Sequence, residues 1–147
     1  MIHLRSFLLL IAFAWGASAH AAWEEIERFE DGMRVYVDRQ SLERAGEVSY
    51  LRHLVRWAEP QSGDDHPPYR STIVRAAYHC TQKLERYLGS LSFAGTFGDG
   101  SVLLEDRDEA ELWYRVSDES MEGKLWRIAC PGFPRAPESP AEKTAGE

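Results

Sequence analysis

The sequence predicts an α+β domain, an antiparallel sheet of about six strands with one C-terminal helix packed on it and a single disulfide. Three observations lead there. Segments with period-two alternation of apolar and polar residues recur from Trp23 to Val116. A stripe with helical spacing follows them, where Met121, Leu125, Ile128 and Ala129 share a face. The only two cysteines are Cys80, within the strand-rich region, and Cys130, at the end of the helical stripe.

Trp23–Phe29 is a short strand candidate, and Glu30-Asp31-Gly32 after it is a hairpin turn signal. Met33–Asp38 then alternates, with Met33, Val35 and Val37 opposite Arg34 and Tyr36. In Asp38–Gly46, Asp38 or Ser41 can cap and Gly46 can terminate, which predicts one helical turn. From Glu47 a longer strand sets Val48, Tyr50, Arg52, Leu54 and Arg56 against Ser49, Leu51, His53, Val55 and Trp57. The polar, proline-bearing stretch Ala58–Pro68 reads as a protruding loop and as a candidate contact surface for a partner.

Tyr69–Cys80 is the next strand, with Thr72, Val74, Ala76, Tyr78 and Cys80 on one face, so Cys80 should point into the core. Thr81-Gln82 is a tight connection. Lys83–Phe93 continues in period two, Leu84, Arg86, Leu88 and Ser90 against Glu85, Tyr87, Gly89, Leu91 and Phe93. Gly95–Gly100 is a glycine-rich turn before a short strand at Ser101–Glu105, and Trp113–Val116 can finish the sheet. Ser117, with Ser120 or with Asp118 and Glu119, offers a helix N-cap and an acidic first turn. Gly123 weakens that helix by up to about 1 kcal/mol relative to alanine, so packing and a crosslink at Cys130 would sustain it; Pro131-Gly132 stops it.

The chain of 147 residues divides into a secretory signal at residues 1–21, a domain at 22–132 and a disordered tail at 133–147. Arg5 precedes an apolar run of about ten residues, Ser6–Trp15, too short to span a bilayer. Ala19-His20-Ala21 fits the signal-peptidase rule with cleavage between Ala21 and Ala22, and Ala17-Ser18-Ala19 is a second site that fits. No cysteine follows to carry a lipid, so the mature chain is expected in the periplasm or outside the cell, without a stable membrane anchor. Removing Arg5 with the signal leaves 16 basic against 24 acidic residues, a net charge of −8. That field gives no general attraction for nucleic acid or anionic lipid. Arg52, Arg56, Arg70 and Arg75 lie on two neighbouring segments and could still form a local basic patch.

In an exported chain, two cysteines read as a disulfide, Cys80 to Cys130. His79-Cys80 is a poor thiol–imidazole or metal pair, because neighbours on a strand point to opposite faces. His53 and His66 read as structural or solvated. The acidic run from Glu105 to Glu111 lacks the spacing that wraps calcium. Gly95-x-x-Gly98-x-Gly100 lacks the Lys-Ser/Thr of a phosphate loop. Trp23, Trp57, Trp113 and Trp126 fall on different elements and read as packing residues. No catalytic, metal or cofactor constellation emerges, and the expectation is a protein without enzymatic activity.

Several landmarks together resemble the surface-adhesin protein E domain of Gram-negative bacteria. They are Trp23, Gly32 with Val35-Tyr36-Val37-Asp38 and Ser41, Cys80, Gly98-Asp99-Gly100, Trp113-Tyr114-Arg115-Val116 and Cys130. The match spans about residues 22–132. It implies an antiparallel sheet with a C-terminal helix held by one disulfide. It also implies a surface role, binding host extracellular-matrix or serum proteins; the alternative is a periplasmic envelope accessory protein with no adhesion role, whose partner would be an envelope protein. The chain differs from the family pattern in lacking a lipid-anchoring cysteine, and in carrying Ser117-Asp118-Glu119 where members often have Pro-Gly-Ser after the late tryptophan.

Overall fold

A computed structural model describes residues 23–133. The signal segment, its Ala21/Ala22 junction and the tail beyond Phe133 lie outside the described residues. Six strands follow one another as an antiparallel meander: β1 Trp23–Arg28, β2 Arg34–Ala45, β3 Val48–Gln61, β4 Tyr69–His79, β5 Leu84–Phe93 and β6 Val102–Asp106. A two-residue strand, β7 Tyr114–Arg115, pairs with the start of β5, on the edge whose far end pairs with β6. The helix α1, Met121–Ala129, closes the chain. It is too short to cross a membrane.

The register sorts the side chains onto two faces, because cross-strand partners point the same way. Val37 pairs with His53, Leu51 with Ala76 and Ser49 with Tyr78, and these residues line the face that receives the helix. Leu125, Trp126 and Ala129 descend onto it, making a buried cluster with Val37, Leu51, Ala76, Tyr78 and Val116. Trp126 is only 2% exposed, and its indole N–H donates to the His79 carbonyl at 3.2 Å, so the largest buried side chain is also satisfied. The Cys80–Cys130 disulfide joins the end of β4 to the helix C-cap across 50 residues of sequence. On the chain-entropy account it stabilises the fold by roughly 4 kcal/mol.

The helix begins at Met121 with Ser120, not Ser117, as its cap. The Ser120 hydroxyl accepts the Gly123 amide at 3.1 Å, while Ser117 supplies a carbonyl that accepts from Ser120. Asp118 ties this turn down through a salt bridge to Lys83 and a hydrogen bond from Arg127 to its carbonyl at 3.0 Å. Gly123 is more than a tolerated weakness. A Cβ there would lie 2.2 Å from the Ser117 carbonyl oxygen, so the turn folds against the helix only because that atom is missing. Lys124 pairs with Glu27 and holds the helix to β1.

Three local expectations are corrected. Asp38–Gly46 is not a helical turn; β2 runs to Ala45 through an irregularity in pairing between Asp38 and Glu43. The residues that could have capped a helix stabilise this bulge instead. Ser41 Oγ donates to the Asp38 carbonyl at 2.7 Å and accepts the Arg52 amide at 2.9 Å, and Asp38 Oδ1 accepts the Gln40 amide. Ala58–Gln61 belongs to β3 and not to the loop, because Gln61 pairs with Tyr69 past another shift of register. The alternation of β5 also breaks: Arg75 faces Gly89 and Ala76 faces Tyr87, so Leu88 is the extra residue of a bulge. Gly89 holds φ +129°, and a Cβ there would meet the Asp106 carbonyl at 2.8 Å.

Gly123→Ala, favourable for an isolated helix, should therefore destabilise this protein. The expected outcome is a melting temperature lower by about 5 °C or more, from an overpacking cost of about 1–3 kcal/mol. An unchanged or raised value in a thermal melt would mean that the Ser117–Asp118 turn yields freely.

Candidate functional site

With α1 on one side, the other side of the sheet carries Tyr36 and Asp38 from β2, Tyr50, Arg52, Leu54 and Arg56 from β3, and Ile73 and Arg75 from β4. Each end of this face is closed by an aromatic side chain. At one end the loop 94–101 folds back, held by Ser71, whose hydroxyl donates to the Gly95 carbonyl at 2.7 Å and accepts the Gly98 amide at 3.0 Å. The loop sets Phe97 edge-on to Tyr36 at 5.2 Å between centroids, with the Arg56 guanidinium 5.3 Å from the Phe97 ring. At the other end Trp113 lies edge-on to His79 at 5.9 Å and under Arg86 at 5.1 Å.

Between these caps lies an open strip with two adjoining grooves. One, of about 640 Å³, is lined by residues that include Gln40, Glu43 and Tyr50. The other, of about 580 Å³, is lined on its apolar side by Ile73, Leu91 and Phe93 and rimmed by Glu105, Asp106 and Glu109. Both share Arg52, Arg75 and Leu88. The bulge at Leu88 puts that side chain at the centre of the strip.

Arg52 and Arg75 are direct partners across β3 and β4, and Asp38 stands on the other side of Arg52. Asp38 is 1% exposed and accepts from Arg52 Nη2 at 2.6 Å. One buried carboxylate thus serves one of two apposed guanidinium groups. Among the described residues Arg75 forms no salt bridge.

The sequence grouped Arg52, Arg56, Arg70 and Arg75; the structure brings three of them to this face. Arg70 alternates with Ser71 and points the other way. The candidate loop, reduced to residues 62–68, contributes to neither groove. It folds on His66, whose ring lies 5.1 Å from Tyr69. The roles of Phe97, Trp113 and Asp38 were missed by sequence reasoning. Only the register of the strands reveals them.

The titratable groups of the helix side have a different character. His53 is buried and its pKa falls to about 4 because burial disfavours the imidazolium. Among the described residues its Nδ1 has no hydrogen-bond partner, and neither has the Tyr78 hydroxyl. Glu85 is pushed up to about 7, first by burial and then by the nearby Glu122 carboxylate. At the β6 edge, Asp106 is held low by the Asp108 amide and the Tyr87 hydroxyl. The Glu122 carboxylate acts electrostatically on His53, Tyr78 and Glu85 alike, so the helix-side groups gather around it, and no metal-ligating cluster occurs among the described residues. His79 and Cys80 separate as expected, His79 to Trp113 and Cys80 into the disulfide.

The surface-adhesin protein E family model matches residues 23–131. The chain belongs to this family. Among solved structures, crystal form II of Haemophilus influenzae protein E is similar with a TM-score of 0.58 at 12% identity, covering 67% of this chain and 81% of that one. The selenomethionine form of the same protein gives 0.58 at 10% identity, covering 74% and 87%. Protein E from non-typeable Haemophilus influenzae gives 0.55 at 9%, covering 70% and 72%. At these identities the likeness establishes the fold. No curated protein matches the chain significantly. Adhesin-E membership thus agrees with the sheet, helix and disulfide of the fold.

The half-buried Glu85 carboxyl makes stability depend on pH. An acid whose folded pKa is raised contributes fully below its ordinary value of 4.5, and that contribution is lost as pH rises through about 7. The loss is up to about 3 kcal/mol, less the share that solvent screens. His53 has the opposite sign: its contribution is present above 6.5 and lost as pH falls towards 4. Comparing Glu85→Gln with the wild type cancels His53 and isolates Glu85. The melting temperature of the variant should match the wild type near pH 4 and exceed it increasingly up to pH 8. Parallel curves would contradict the assignment.

Proposed function

We propose that this adhesin-E chain is an exported, non-enzymatic protein-binding module that meets its partner through the helix-free sheet face. One observation carries the reading. The disulfide-held helix consumes one face of the sheet, while the other keeps an open strip with arginines, an apolar floor and aromatic boundaries. Such a surface suits protein recognition, where aromatic and arginine side chains carry much of the binding energy. The family's adhesin designation supports an extracellular-matrix or serum protein as partner. Export rests on the signal-like segment 1–21, with cleavage between Ala21 and Ala22.

A second reading, a periplasmic envelope accessory protein without host ligand, is favoured by one feature, the absence of a cysteine just after Ala21. Location and binding separate the two. Protein recovered from the producing cell should have an intact mass that begins at Ala22. Surface plasmon resonance with that mature chain over immobilised matrix and serum proteins should give saturable binding that survives 0.5 M salt. Binding to none of them, with the protein confined to the periplasm on fractionation, would overturn the adhesin reading in favour of the second.

A further inference from the structure

We propose that Arg52 and Arg75 form a carboxylate clamp, and that it takes an acidic side chain in an extended segment of the partner protein. This rests on the open face being the binding face.

The two arginines face each other directly across β3 and β4, which puts their Cβ atoms roughly 5 Å apart. Like charges in that relation are unfavourable unless something neutralises them. Asp38 does so for Arg52 alone, from a buried position that the fold fixes through Gln40 and Ser41. Arg52 is thereby held in place with its side chain still 47% exposed, and Arg75 is exposed beside it. A guanidinium offers a planar fork of donors that matches a carboxylate, so a second carboxylate placed between the two would complete an alternating row of charges.

The surroundings choose among anions. Leu88 lines both grooves together with the two arginines, and Ile73 and Leu91 continue the apolar floor. The rims carry Glu43 on one side, and Glu105 and Glu109 on the other, within a chain of net charge −7. A polyanion such as a sulfated glycosaminoglycan would gain at the arginines and be repelled at both rims. In an extended segment alternate residues face the sheet, so a carboxylate with an apolar residue two positions away on each side, and a basic residue two positions beyond, meets a complementary group at each step. The geometry therefore points to a protein segment of that pattern.

The test is an NMR titration of the isotope-labelled mature chain with the peptide acetyl-Lys-Ser-Leu-Ser-Glu-Ser-Leu-Ser-Lys-amide, monitoring backbone amides and arginine Nε–H signals. Saturable shifts should centre on Arg52, Arg75 and Leu88. The glutamine counterpart of the peptide should bind about tenfold more weakly, the loss expected for a charged hydrogen-bonded pair. Arg75→Gln should weaken the glutamate peptide by a similar factor, whereas Arg70→Gln, which removes the same charge from the opposite face, should leave it unchanged. Equal binding of both peptides, no saturable shift, or tighter binding of a heparin hexasaccharide at the same residues would each overturn the proposal. The clamp and the binding module can fail independently. If the wild type captures a matrix protein and Arg75→Gln captures it equally, the clamp fails and the binding module stands. If no matrix protein is captured, the peptide titration still decides the clamp.

Discussion

The crosslink between Cys80 and Cys130, with Trp126 buried just before it, is the constraint on which the arrangement depends. A nine-residue helix containing glycine has little stability of its own. Its position comes from the covalent tie at its C-cap, the indole bond to the His79 carbonyl and the Asp118 turn at its start. These anchors are spread along its length, so it stays on one face of the meander. A six-strand sheet left with two wetted faces would have little core. Covering one face creates the core and leaves the other face available.

That division gives the two faces opposite chemistry. Under the helix the polar groups are few, desolvated and shifted so as to stay neutral, His53 downwards and Glu85 upwards. On the open face the ionised groups remain solvated, apart from Asp38, which is sunk beneath Arg52 and compensated by it. A buried carboxylate that loses its cation is costly, so Asp38 fixes the arginine as much as the arginine satisfies Asp38. The Phe97 and Trp113 caps shelter the ends of the same face and confine the exposed part to its centre. The adhesin-E fold thus supplies a scaffold, and the strip between the caps carries the exposed arginines and the apolar floor.

Much of this was legible in the sequence. The alternation in Val48–Trp57 and Thr72–Cys80 correctly separates the two faces, because a period of two leaves no freedom once one face is buried. The cysteines and the helical stripe place the clasp. The failures cluster where side chains compete with the backbone for hydrogen bonds. Asp38 and Ser41 carry the chemistry of a helix cap, yet they secure a bulge, since only the neighbouring strand tells the two uses apart. The bulge at Leu88 sits beside Gly89, which Asp106 approaches closely from 17 residues later, so no local pattern announces it. The site was half visible. Arg52, Arg56 and Arg75 could be grouped, but that Arg52 and Arg75 are in register, and that Asp38 serves only one of them, is a property of strand pairing.

The central claim is that the disulfide holds the helix as the cover over one face of the meander. Amide hydrogen exchange on Cys130→Ser tests it most directly. The account predicts that exchange in Met121–Ala129 accelerates by about a hundredfold, as the helix becomes a separately opening unit, while the paired centres of β3 and β4 lose much less protection. Equal acceleration in helix and strands would contradict it, showing that the helix is inseparable from the sheet. A helix as protected as in the wild type would contradict it from the other side.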